Sequence, residues 1–113
     1  MLKHHQVLDL WHQVTVETLK RDMPDLTARQ FAIMLRVYLT QAPHTVRGLS
    51  SSLGISKPAV TRAIDRLSRL DLLRRKRDEA DRRSVLLQRT VKGAVFLREF
   101  GDCGADLSKN LPS

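Results

Sequence analysis

The chain is poor in the features that build extracellular, membrane-spanning or metal-dependent proteins. Its one cysteine, Cys103, can close no disulfide within the chain, which suits a reducing cytoplasm. No apolar run approaches the ~20 residues of a membrane-crossing helix. The opening Met1-Leu2-Lys3-His4-His5 lacks the apolar stretch of a secretory signal. Only Trp11, Tyr38 and three phenylalanines are aromatic, so Leu, Val, Ile and Ala must fill the core. There is no internal repeat and no low-complexity tract. The sequence has no phosphate-binding glycine loop, no Gly-x-Ser-x-Gly and no paired carboxylates in an apolar setting. His4, His5, His12 and His44 have no cysteine or acidic cluster beside them at ligand spacing. These absences predict a non-enzyme without metal or cofactor, and nothing in the residues points to a particular small-molecule effector.

What the chain has is an uneven charge. Its 113 residues suit one domain, and the formal charge is +8. Residues 1–56 carry six basic and four acidic groups, net +2; residues 57–98 carry thirteen and five, net +8; residues 99–113 carry one and three, net −2. A basic field concentrated in one segment attracts a polyanion, and nucleic acid is the commonest.

Hydrophobic spacing orders the elements. Val7, Leu8, Trp11, Val14 and Leu19 recur at helical spacing over about 5–21, and Pro24 ends that helix. Thr27 and Gln30 form a capping box for a second helix with the stripe Phe31, Met34, Leu35 and Tyr38, stopping near Thr40. Thr45 caps a short third helix, Val46 to Leu53. Gly48 and Ser50-Ser51-Ser52 give it poor propensity, so it must be held by Val46, Leu49 and Leu53. Gly54 ends it in a left-handed conformation. Ser56 caps a fourth helix with Pro58 in its first turn. Val60, Ala63, Ile64 and Leu67 line one side of it, and Pro58, Thr61, Arg62, Asp65 and Arg69 the other. Leu72 to Arg77 and Ser84 to Arg89 read as two strands around the polar loop 78–83. Thr90 caps a last helix with Val91, Ala94, Val95, Leu97 and Phe100, and Gly101 and Gly104 predict a break or fraying in it.

The expected fold is therefore mainly α with a small antiparallel β-hairpin, a winged helix-turn-helix. Three segments are expected: 1–25, an N-terminal helix for dimerisation; 26–90, the DNA-binding domain; and 91–113, a C-terminal helix and tail for dimerisation. Two helices joined by a tight turn let the second lie in a major groove, which is about 12 Å wide. The candidate DNA-binding residues are Ser56, Lys57, Pro58, Thr61, Arg62, Arg66 and Arg69 on that helix, Arg74 and Lys76 on the first strand, and Arg82 and Arg83 at the loop. Arginines on such a tip suit a narrow, electronegative minor groove. Val7, Leu8, Trp11 and Val14, with Val95, Leu97 and Phe100, are the candidate dimer contacts.

Beyond this pattern, TARQFAIMLRVYL followed by TVRGLSSSLGISKPAVTRAIDRLSRLDLLRRKRDEADRRSVLLQRTVKG resembles the MarR family of bacterial transcription regulators. The resemblance covers about residues 26–98, and its most specific parts are LGISKPAVTRAIDRL and DEADRRSVLLQRTVKG. It implies that Ser56–Leu70 is the recognition helix and Leu72–Arg89 the wing. It also implies that Asp65 orients the wing by pairing with Arg83. Two departures stand out: Arg89-Thr90 occupies the place of a family Leu-Thr pair, and family members carry longer C-terminal helices that build the dimer. The resemblance implies a cytoplasmic homodimeric repressor or activator on double-stranded DNA, with no membrane partner. Two rival readings are a protein-interaction module on the same scaffold, acting as an antirepressor or inhibitor, and a non-specific nucleoid protein.

Overall fold

The computed structural model describes all 113 residues. Five helices and one hairpin follow in the order α1 (His4–Lys20), α2 (Ala28–Leu39), α3 (Val46–Leu53), α4 (Lys57–Arg69), β1 (Leu73–Arg77), β2 (Val85–Arg89) and α5 (Val91–Ser108). They form two compact units, residues 26–94 and residues 1–25 with 95–113. No helix is long and apolar enough to cross a membrane.

In the unit 26–94, local chemistry fixes each helix end. The Thr27 hydroxyl accepts from Gln30 N, and the Gln30 side chain accepts from Thr27 N in return. Thr45 accepts from Gly48 N and Ser56 from Ala59 N, starting α3 and α4. Each such cap satisfies a donor that the helix itself leaves orphaned. Gly54, at φ +68°, stops α3 in the left-handed region where an L side chain is strained. Asp71 takes a similar φ of 59° after α4, while Leu72 N bonds back to Leu67 O at 2.8 Å.

The core of this unit is Ile33, Met34 and Val37 of α2, Leu49 of α3, five residues of α4 from Ala59 to Leu67, and Leu72, Leu73 and Leu87 around the hairpin. Each large side chain withdrawn this way contributes roughly 1.5–3 kcal/mol. The buried side of α2 differs from the expected one: Gln30, Ile33, Met34 and Val37 are buried, whereas Phe31, Leu35 and Tyr38 are only half-buried. Leu49 is the single buried residue that holds α3.

The hairpin is antiparallel, with Leu73 opposite Arg89, Arg75 opposite Leu87 and Arg77 opposite Val85. Opposed residues share a face. Leu73, Arg75, Arg77, Val85, Leu87 and Arg89 thus lie on the side that contributes buried Leu73 and Leu87 to the core. Arg74 and Lys76 lie on the other side, with Arg74 Nη2 donating to Gln88 Oε1 at 3.1 Å. Thr45 bridges to Leu86, and Leu87 N bonds to His44 O at 2.9 Å, so β2 has a neighbour on each edge.

The first turn of α5 belongs to this unit, which extends the boundary from the expected residue 90 to 94. Thr90 caps α5 by accepting from Gly93 N while its hydroxyl donates to Asp71 O. Gly93 sits where a Cβ would lie 1.9 Å from the Tyr38 hydroxyl and 2.4 Å from Leu72 O. Only glycine allows that approach.

In the other unit, α5 runs unbroken through Gly101 and Gly104 to Ser108, against the expected break. Two helix-interior glycines cost about 1 kcal/mol each relative to alanine. Packing demands neither of them: a Cβ on Gly104 would lie 3.9 Å from Val14 Cγ2 of α1, an ordinary contact, and one on Gly101 would meet nothing. The final residues are tied to α1 as well: Gln6 Nε2 donates to Pro112 O at 2.8 Å, and His5 Nε2 lies 3.0 Å from Ser113 O. Even so, α1 has no buried residue.

Candidate nucleic-acid interface

The apolar side of α4 turns into the core at Ala59, Val60, Ala63, Ile64 and Leu67, which fixes what the rest of the helix presents to solvent. At about 100° per residue, Pro58, Thr61, Arg62, Asp65 and Arg69 fall on the opposite arc. All but half-buried Asp65 are exposed, as are Ser56 and Lys57 at the helix start. The helix therefore shows short polar groups and cations along one line, beginning at its positive dipole end. Gly54 and the Ser56 cap set its angle to α3.

Arg66 departs from the expected set. It lies at the flank of the arc, and its Nη1 donates to Gln30 Oε1 at 2.6 Å. Gln30 is buried in the α2 capping box, and a buried amide oxygen needs its donors. Arg66 thus serves the junction of α2 and α4 rather than projecting beside Arg62.

Asp65 also differs from expectation. Its carboxylate pairs with the Arg75 guanidinium of β1, not with Arg83. The register explains this, because Arg75 stands opposite Leu87 on the body side of the hairpin, within reach of α4. Arg83 lies in the tip, where Asp81 Oδ1 accepts its backbone N–H at 3.1 Å and sits 3.6 Å from its Nε. The alternation of the strand carried the signal for Arg75.

Arg82 and Arg83 are exposed on the tip, which is stapled at its base by Asp78 N to Ser84 O at 3.2 Å and Ser84 N to Asp81 O at 2.9 Å. The tip has its own acidic groups, Asp78, Glu79 and Asp81. Two of these are occupied locally, Asp78 accepting from Ala80 N and Asp81 from Arg83 N.

Arg89, at the place of the family leucine, is exposed at the end of β2. Its Nε and Nη2 donate to Val37 O and Thr40 O at the end of α2, and its guanidinium lies 5.7 Å from the centre of the Tyr38 ring.

The candidate dimer residues lie in the other unit. Leu8 is 58% exposed, Trp11 73% and Val95 48%, and Val7 is also exposed. Val14, Leu97 and Phe100 are half-buried, Val14 beside Gly104.

The MarR family model matches residues 26–85, the span from the α2 cap to the start of β2. No curated protein matches the sequence. Among solved structures, the transcriptional regulator Tm0710 of Thermotoga maritima superposes with a TM-score of 0.74 at 27% identity, covering 91% of this chain and 72% of its own. The regulator BldR of Sulfolobus solfataricus gives 0.65 at 25% identity, covering 95% and 82%. MepR of S. aureus in its DNA complex gives 0.73 at 20% identity, covering 91% and 79%. The capped α2, the glycine turn into α4 and the basic hairpin, matched over most of one compact unit, make this chain a member of the MarR family of transcription regulators with a winged-helix fold.

Proposed function

We propose that the chain represses transcription as a homodimer on a specific, near-palindromic duplex site, with residues 57–70 in the major groove and the wing tip 78–83 at the minor groove. The observation that carries this reading is the line of unburied polar and basic groups on α4, namely Lys57, Thr61, Arg62 and Arg69, beside a hairpin with four cations in β1. Thr61 and Arg62 have the reach for base edges, and Ser56, Lys57 and Pro58 meet the flanking backbone at the helix start. Arg82 and Arg83 enter the minor groove. Arg74 and Lys76, on the far side of the hairpin, add to the attractive field. MepR's complex with DNA, on the same fold, supports this use of it.

The exposed Leu8, Trp11 and Val95 support a second copy as the partner of α1. Two-fold symmetry then places two recognition helices about one DNA turn, ~34 Å, apart.

The test is selection of bound duplexes from a randomised pool, followed by salt titration of the winner. A common half-site should emerge in inverted repeat. With roughly six phosphates contacted, log affinity should fall with log salt at a slope of about −5. A slope near zero would exclude DNA as the ligand; a steep slope without sequence enrichment would favour a nucleoid protein. The exposed α1 stripe also suits a protein-interaction module, and a chain that sediments as a monomer and enriches no duplex would support that reading instead.

A further inference from the structure

The root of the hairpin holds an arginine that the contact surface does not use. Arg89 stands opposite Leu73, on the same face as Arg75 and Leu87. Its Nε donates to Val37 O at 3.1 Å and its Nη2 to Thr40 O at 3.2 Å. Those carbonyls close the last turn of α2, where a helix leaves acceptors unpaired and a cation meets the negative end of the dipole. Tyr38 lies under the guanidinium and extends the contact. Its hydroxyl accepts from Thr90 N at 3.0 Å and donates to Leu72 O at 2.9 Å. Leu72 precedes β1 and Thr90 follows β2, so both roots of the hairpin converge on one turn of α2.

We propose that Arg89, with Tyr38, is a positioning residue for the wing: it pins the root of the hairpin to the end of α2 and thereby sets where the tip lies relative to α4. The proposal rests on the reading of the tip as a DNA contact. Geometry gives the pin its leverage. From Arg89 to Ser84 the strand rises roughly 17 Å at about 3.3 Å per residue, so a swing of ~10° at the root moves the tip by ~3 Å. That is half the ~6 Å width of a minor groove. The middle of β2 is held by its bridge to Thr45 and by Leu87 N on His44 O, while the tether to α4, Asp65 with Arg75, is a single half-exposed ion pair that salt screens. Arg89 instead combines two hydrogen bonds with a ring contact, and its planar fork spans two carbonyls in a way an ammonium does not.

The experiment uses the full chain with Arg89→Lys, which keeps the charge, and Tyr38→Phe, which keeps the ring but removes the hydroxyl bonds. Amide exchange reads the pin directly. In both variants the amides of Val85–Arg89 should exchange about tenfold faster while those of α2 and α4 keep their protection. Binding to a 25-bp random-sequence duplex, a probe length of about two and a half DNA turns, reads the consequence. Affinity should fall about three- to tenfold with an unchanged salt slope. Arg82→Ala should cost less affinity beside Arg89→Lys than alone. Unchanged exchange in the hairpin of Arg89→Lys overturns the pin. Faster exchange with unchanged duplex affinity, and no effect of Arg82→Ala in any background, upholds the pin and overturns the wing as a DNA contact.

Discussion

At Gly93 there is no room for a single methyl group, because the atoms it would strike include the backbone carbonyl of Leu72 as well as the Tyr38 hydroxyl. Gly93→Ala must therefore displace the start of α5 or break the Tyr38 contacts, and overpacking of this kind costs about 1–3 kcal/mol. Gly101 lies in open space on the same helix, where alanine gains about 0.5–1 kcal/mol of helix propensity. Thermal melts should move in opposite directions for the two substitutions, and a pair of shifts with the same sign would refute this account of α5. Asp65 and Arg75 give a second contrast. Their side chains are 44% and 41% exposed, so the pair adds only about 0–1 kcal/mol to folding. Asp65→Ala should leave the melting temperature almost unchanged. If Asp65 steers Arg75 it weakens operator binding, whereas loss of an acid beside phosphate by itself tightens it. A double-mutant cycle with Arg75→Ala separates the two. Tighter binding with no coupling would make Asp65 a tolerated surface charge.

Under the proposed function, α4 and the hairpin divide the work of binding differently. Arg62 is exposed on the outward arc of α4. Arg62→Ala should cost about 1–3 kcal/mol on the selected site and relax preference at one base position. Arg74→Ala and Lys76→Ala, on the far face of the hairpin, should weaken selected and random duplexes by one common factor. Parallel losses for Arg62→Ala on both duplexes would reduce that residue to a phosphate clamp. These elements were legible in the sequence because their signals are local. The Thr27, Thr45 and Ser56 caps, Gly54 and the Pro58 turn each sit within a few residues of the bond they make, and the structure shows each boundary within about a residue. The buried side of α2 was not legible, since Phe31 to Leu39 is apolar at every position but Arg36 and periodicity cannot select a face. Nor was the unbroken α5, which runs through Gly101 and Gly104 despite their poor helix propensity. The partners of Asp65, Arg66 and Arg89 depended on strand register and on elements ten or more residues away.

For the molecule as a whole, the unit that holds α1 leaves Val7, Leu8, Trp11, Leu19 and Val95 exposed. Replacing Trp11 with Glu should give a monomer whose winged-helix unit stays folded and whose operator affinity drops steeply, because two linked half-sites bind far more tightly than one. Deleting residues 1–22 should do the same. Sedimentation of the unaltered chain as a monomer at micromolar concentration would exclude a dimer built on α1. The hairpin raises a separate question for the whole molecule. β2 has β1 on one side and Thr45 on the other, but β1 has only β2, so its outer backbone groups face water unpaired. A bare strand edge is a template on which another copy can add a strand. Here that edge carries Arg74, Arg75, Lys76 and Arg77 in succession, and two such edges repel one another. A cationic edge of this kind should keep copies of the chain from joining edge to edge. Exchanging Arg74 and Lys76 for threonine, which favours strands and bears no charge, should make free protein scatter light at concentrations where the unaltered chain stays clear. A clear solution would mean that the twist of the hairpin alone protects the edge.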